Sequence, residues 1–433
     1  MAGKHSGLGK SLRLICACFL LLILRRPTAL VNPQFWAEDG TVFYRDALVF
    51  GWKSILQPYA GYSHLCPRII ALLAAHMDAS WAPLCMNCCA LILAAISCSM
   101  FALNRYRTLM TSDVLRFVLC ILMAAALPAY ELVGNMANVQ WFLVVAAIPF
   151  TLTGKPALQR FCSLQLLIGL AISLSAPALL ILMPIILWPT NMRRLSSMSF
   201  GLILGLAIQL VLFVEATSSP NTIFSTKNMS ESLRATAVAL SNQVILPTLL
   251  GQRHAYSLVT NFSNVGPSVF LLFVVLVTCV GTRLPTPDRP TLLSAVWLTV
   301  ASMALSFETR ESVRALLPDF SHAVRFGADR YFFCSCCMFT FCLALIFEQW
   351  TRRAPNGKSF RREASFLLIF LLSGVVNFKI GPLADKDWHM YAAEVNEWKE
   401  AHLIGSPHHS ISVPVNPTPW HLDLPTLVKS TIL

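Results

Sequence analysis

Charge is what this 433-residue chain has least of: only 12% of its residues are Asp, Glu, Lys or Arg, about half the share of a soluble domain. That scarcity excludes water as the main solvent, and the 56% of hydrophobic residues names the alternative. Nor does any early stretch read as a cleavable leader. The apolar run from Leu12 to Leu24 meets Arg25-Arg26-Pro27 instead of a small-residue cleavage site. It therefore reads as a retained first span, its arginines snorkelling to the outer headgroups while Pro27 to Val31 completes the crossing. No internal repeat or low-complexity tract is visible. Cysteine is plentiful, yet of the 14 only Cys66 falls in an outer loop, so no disulfide framework is expected there. Cys334-Ser-Cys336-Cys337 lacks the polar surroundings of a metal site. The cysteines read as small packing residues.

What is present is a succession of apolar runs near the length of about 20 residues that a crossing helix needs. Crossings are expected near 12–31, 81–102, 114–131, 138–153, 196–216, 263–281, 291–307, 330–348 and 365–381. A further stretch, 161–189, goes out and back with its turn at Ser175-Ala176-Pro177. The fold class is thus an all-α polytopic membrane protein of about 11 passes. Over half of the 33 basic residues, among them Arg105, Arg107, Arg193, Arg194, Arg352 and Arg353, fall in short inner loops. This accounts for the net charge of +12 as topology, not nucleic-acid binding. It sets the amino terminus in the cytoplasm and the carboxyl terminus outside.

Residues 1–381 form the transmembrane domain, with long outer loops at 32–80, 217–262 and 308–329, and 382–433 is a short extracytoplasmic segment. Loops this long usually carry function. In the first, Asp39 or Gly40 can cap a helix whose face is Val42, Phe43, Ala47 and Phe50, and Leu65 to Met77 forms a second amphipathic helix. Both are expected in the interface plane. The tail offers a helical stretch with Trp388, Tyr391 and Trp398, then an extended Ser412-Val-Pro-Val-Asn-Pro417. His402 and His408-His409 lack metal-ligand spacing. The sequons at Asn228 and Asn261 are short matches and are set aside.

The first loop reads Asn32-Pro-Gln-Phe-Trp-Ala-Glu38-Asp39-Gly40-Thr-Val-Phe-Tyr44, then Gln57-Pro-Tyr-Ala-Gly61-Tyr-Ser-His64-Leu-Cys-Pro-Arg68. It resembles the first loop of the GT-C class of membrane glycosyltransferases, and especially a group of bacterial multi-pass proteins with an "AEDG" and a "PYAGY-H---PR" pattern. Arg330-Tyr-Phe and the tail's Val-Pro-Val-Asn-Pro resemble the same group. The resemblance implies a bacterial inner-membrane enzyme that takes sugar from a polyprenyl-phosphate donor and passes it, with inversion, to an outer-face glycan, lipid or protein acceptor. It makes Asp39, or Glu38 beside it, the base for the acceptor hydroxyl. Arg330, Arg325 and Arg68 become candidates for the donor phosphate. His64, Tyr62, Asn135, Asn138, Gln140 and Trp141 become candidates for the sugar.

Each assignment has a structural rival. Asp39 can serve only as a cap, an arginine at a span edge can snorkel, a polar turn can solvate helix ends, and His64 can simply pack among aromatics. No metal ligands are assigned and no cofactor is demanded. A divalent cation is compatible with the chemistry, but no motif supplies a second outer carboxylate. The rival functions are a transporter or lipid-linked sugar flippase, which should show paired broken helices or charges within spans, and a non-catalytic envelope assembly scaffold.

Overall fold

A computed structural model describes residues 5–126, 129–153, 162–188, 196–217, 229–262, 264–284, 288–308, 330–352 and 378–427. The architecture is predominantly helical. Among the described residues, four helices are long and apolar enough to cross a bilayer: Ala79–Ala102, Ser197–Glu215, Val265–Arg283 and Arg330–Arg352. The pair Ser163–Ser173 and Pro177–Ile186, bent by 113° at the expected turn, makes a fifth if counted as one span. Eleven crossings are not reached among the described residues. Asp113–Ala124 has 12 residues and Val139–Leu152 has 14, about 18 and 21 Å of helix against a hydrocarbon core of roughly 30 Å. The expected crossing at 365–381 falls almost wholly outside the described residues, as does 308–329 apart from its first residue.

Arg25 and Arg26 correct the sequence reading most sharply. Both are 1% exposed, so neither snorkels to headgroups. Helices leave their last carbonyls unpaired, and Arg25 Nη1 donates to one such group, Ala124 O at 2.9 Å, and to Ala126 O just beyond the helix at 3.1 Å. Arg26 grips the next turn, donating from Nη1 to Val133 O at 2.8 Å and from Nη2 to Tyr130 O.

The bent pair has its own reason. Its break frees Leu174 O, which accepts from Leu65 N–H at 3.2 Å, and Ser175 Oγ, which accepts from Cys66 N–H at 2.8 Å. These bonds serve the amino end of helix Leu65–Ala75, which has no side-chain cap of its own. Gln209, buried in the span Ser197–Glu215, completes the dock: its Oε1 accepts from Ser63 N–H at 2.8 Å, and its Nε2 donates to Ser63 O and Ser173 O, both at 3.1 Å.

The first loop forms helix as expected, but in a different register. Asp39–Tyr44 is a π-helical turn running into the α-helix Arg45–Phe50. The wider turn rotates the following side chains, burying Phe43, Tyr44 and Ala47 while Phe50 stays 41% exposed. The tail packs directly on this loop. Helix Trp388–Ile404 sets the Trp388 ring edge-on to Phe35 at 4.7 Å and donates its indole N–H to Ala79 O at 2.8 Å. A two-stranded antiparallel sheet follows, Ile411–Pro414 with His421–Leu424, register Ile411 to Leu424. Beyond its first strand, Asn416 pairs with Trp36: its N–H donates to Phe35 O at 3.2 Å and its carbonyl accepts from Ala37 N–H.

All fourteen cysteines are free. The tightest helix contact is made by glycines. A Cβ on Gly201 would lie 2.2 Å from Leu166 O, and one on Gly169 would lie 2.3 Å from Met198 O. Such small residues allow the backbones of Ser163–Ser173 and Ser197–Thr217 to touch where apolar burial gives no driving force in lipid. Gly201→Val should therefore destabilise the protein by about 1–3 kcal/mol, read as a lower thermal midpoint and less monodisperse protein in detergent. A variant with unchanged midpoint would show that this contact is not a constraint.

Candidate functional site

Asp39 is fully buried, and its carboxylate reaches across to another segment. Oδ2 accepts from Met136 N–H at 3.0 Å and Oδ1 from Ala137 N–H at 2.7 Å. These amides precede helix Val139–Leu152, whose Asn138 provides no side-chain cap. No side-chain bond caps the helical turn that Asp39 itself begins, so the expectation of local capping is replaced by a long-range bond to the 136–137 backbone. Burial pushes the Asp39 carboxyl up to about 8; the two N–H donors pull it down and neighbouring Glu38 pushes it up further.

The turn it holds is tied internally as well. Asn135 Nδ2 and Asn138 Nδ2 donate to Glu131 O at 2.8 and 2.9 Å, Asn138 N–H donates to Asn135 Oδ1 at 3.2 Å, and Gln140 Nε2 donates to Ala137 O at 3.4 Å. These three amides, proposed from sequence as sugar contacts, are engaged with the turn's own backbone. The same bonds fix Glu131, which sequence reasoning left without a role. Its Oε2 lies 3.8 Å from Arg330 Nε.

Arg330 opens the span Arg330–Arg352 and gathers the rest of the cluster. Its guanidinium stacks over the Tyr331 ring at 5.1 Å and donates to the Tyr331 hydroxyl at 3.2 Å. It also feels the Glu38 carboxylate as well as that of Glu131. Glu38 Oε2 and Glu131 Oε2 are buried acceptors without a hydrogen bond, and Trp141 Nε1 is a buried donor without one. Aromatic faces close the margin: Trp141 meets Tyr331 edge-on at 6.1 Å, and Trp36 meets Tyr130 likewise at 6.1 Å. Buried polar atoms are costly to leave unbonded, so this combination of two acceptors, one donor and one cation suits a ligand carrying hydroxyls and an anionic group.

The remaining sequence candidates lie elsewhere in the first loop. Arg68, 1% exposed, pairs with Asp46 at 3.1 Å and stands over Phe43 at 5.4 Å. Burial draws its guanidinium below its ordinary range and Asp46 opposes that. His64 is buried against Tyr62 at 4.3 Å, Phe43 at 5.1 Å and Tyr59 at 5.7 Å between ring centroids. Arg68, Tyr62 and His64 thus form an aromatic and ion-paired support apart from Arg330. Arg325 lies outside the described residues. Among the described residues no three His, Cys, Asp or Glu side chains gather as metal ligands. The signal for Glu131 was available: it is an acid in an apolar stretch, four residues before Asn135 and seven before Asn138.

Comparison with protein-family profiles, with curated proteins and with solved structures gave no match.

The raised Asp39 carboxyl has a signed consequence. Between its unfolded value near 4 and about 8, the folded state binds the extra proton, so this group's contribution to stability falls as pH rises through that window. The thermal midpoint should decline from pH 6 to pH 9, and Asp39→Asn should flatten the decline. An identical slope in the variant would assign the pH dependence to other groups.

Proposed function

We propose that the chain is an integral membrane glycosyltransferase of GT-C type, moving one sugar from a polyprenyl-phosphate donor to an outer-face glycan, lipid or protein acceptor. The observation that carries this reading is the pair of Glu131 and Arg330 at 3.8 Å beside Trp141 and Tyr331, with the Glu38 carboxylate acting on the same guanidinium. Glu38 is the base. It is half-buried and keeps an oxygen outside any hydrogen bond, whereas both oxygens of Asp39 hold backbone amides. The acceptor oxygen attacks the anomeric carbon as its proton passes to Glu38. The bond from that carbon to the phosphate oxygen breaks, and the phosphate leaves with the electron pair toward Arg330, whose fork of donors suits it. Trp141 and Tyr331 flank the sugar. Asp39 is a positioning residue.

The reading sets the protein in a bacterial inner membrane, with the amino terminus cytoplasmic and the first loop and tail periplasmic. This requires an odd number of crossings, eleven in the sequence reading. Contact between the tail and residues 35–37 supports a common side for loop and tail. A transporter would draw on a broken helix with polar ends free for cargo. At the 113° bend, Leu174 O and Ser175 Oγ instead bond the first loop, which favours the transferase.

The test uses purified protein in vesicles supplied with undecaprenyl-phosphate hexoses, following loss of the donor. Glu38→Gln should lower turnover by at least about 100-fold, the scale of general-base catalysis, with folded yield unchanged. Arg330→Gln should weaken use of the donor, and Asp39→Asn should act mainly on folded yield. Wild-type turnover in Glu38→Gln would remove the base from Glu38, and no loss of donor with the wild-type protein would leave the scaffold.

A further inference from the structure

The fold holds Glu131 by its backbone and leaves its carboxylate loose. The carbonyl accepts from Asn135 Nδ2 at 2.8 Å and from Asn138 Nδ2 at 2.9 Å. The side chain is mostly enclosed, 16% exposed, yet Oε2 is buried without a hydrogen bond. Among the described residues its charged neighbour within 4 Å is Arg330, with Nε at 3.8 Å. A charge-assisted hydrogen bond closes to about 2.7–2.9 Å, so this pair has the attraction of opposite charges without the bond. A buried carboxylate oxygen left in that state costs stability, and replacing such a pair by apolar side chains is often neutral or stabilising. Stability therefore gives no reason for a carboxylate at this position.

The chemistry at Arg330 does give one. Nη2 donates to the Tyr331 hydroxyl at 3.2 Å and Nε faces Glu131. Neither contact uses Nη1, and the side chain is 27% exposed, so the guanidinium keeps a donor for a phosphate. Transfer changes the charge that this donor meets. A sugar joined through phosphate to a lipid is a phosphodiester with a single negative charge, whereas the phosphate that leaves is a monoester carrying about −1.5 to −2 at pH 7. An arginine alone would hold the product more tightly than the donor and stay occupied. A carboxylate beside the same arginine repels both, and it repels the more highly charged product more. Enclosure of the pair limits the screening of that repulsion by salt.

We infer that Glu131 is a positioning residue that acts through Arg330 as a counter-charge, reclaiming the guanidinium as the lipid phosphate departs and so disfavouring the phosphomonoester product over the phosphodiester donor. The inference rests on the glycosyltransferase reading and adds to it a device for product release. No bond is made or broken at Glu131. An ion pair between Arg330 and phosphate is exchanged for one between Arg330 and Glu131.

The experiment uses the purified full-length protein in vesicles, with an undecaprenyl-phosphate hexose as donor and undecaprenyl phosphate as added product. In Glu131→Gln the inhibition constant of undecaprenyl phosphate should fall about tenfold, the scale of one neighbouring charge, and the KM for the donor should fall less. A merely structural role would not tighten either, because a disordered turn leaves Arg330 less well placed. Glu131→Asp keeps the charge and should keep product inhibition near the wild-type level. Glu131→Ala removes the same charge and decides the matter if Glu131→Gln fails to fold. Turnover by the wild type with an inhibition constant that stays or rises in Glu131→Gln would overturn the counter-charge and spare the transferase. So would a KM that falls as far as the inhibition constant, or a Glu131→Asp variant that binds product as tightly as Glu131→Gln. No loss of donor with the wild-type protein would overturn the transferase reading and this inference with it.

Discussion

The turn at residues 130–138 is held from both of its polarities by one stretch of chain, and the candidate site depends on that grip. Arg26 takes its carbonyls, at Tyr130 and Val133, and Asp39 takes its amides, at Met136 and Ala137. A buried turn cannot use water for these groups, and each one left unpaired costs about 1–3 kcal/mol. A guanidinium for the acceptors and a carboxyl group for the donors meet the need with two side chains thirteen residues apart. Glu131 is brought to Arg330 as a result, and Trp141 stands one helical turn after Ala137.

Neighbouring carboxylates in the first loop acquire opposite duties from their surroundings. Asp39 is sealed and bonded through both oxygens to a backbone it must hold. Glu38, one residue earlier, retains an oxygen free of hydrogen bonds and shares the field of Arg330 with Glu131. A carboxylate with an oxygen free of hydrogen bonds can change partners, and one bonded through both oxygens cannot. Their order in the sequence carries no hint of which is which, because the π-helical turn decides which side chain points inward.

Much of the helical character and the turn at Ser175-Ala176-Pro177 was legible, since apolar run length and helix-breaking residues are local signals. The tail's Trp388 helix and extended Val413 to Pro417 were legible for the same reason. Pass number was not: Asp113–Ala124 and Val139–Leu152 are apolar in composition yet stop short, ended by a turn whose pairing comes from residues 26 and 39. Arg25 and Arg26 misled because a basic pair after an apolar run fits interfacial charges as well as buried caps, and only the distant carbonyls distinguish the two. The acidic pair and Arg330 were legible as candidates. Glu131 stood out as an acid in an apolar stretch, but its pairing needed the third dimension, since its partner lies about two hundred residues away in the chain.

The pairing of Asn416 with Trp36 joins a segment synthesised early to one synthesised late. Until residues near 416 reach the same side of the membrane, the backbone just before Glu38 lacks its neighbouring strand, so this part of the first loop stays unfinished while the intervening helices are being inserted. Contacts of such long sequence separation form slowly, and here the delay acts as an ordering rule: the acidic pair takes its final setting only after the membrane body is in place.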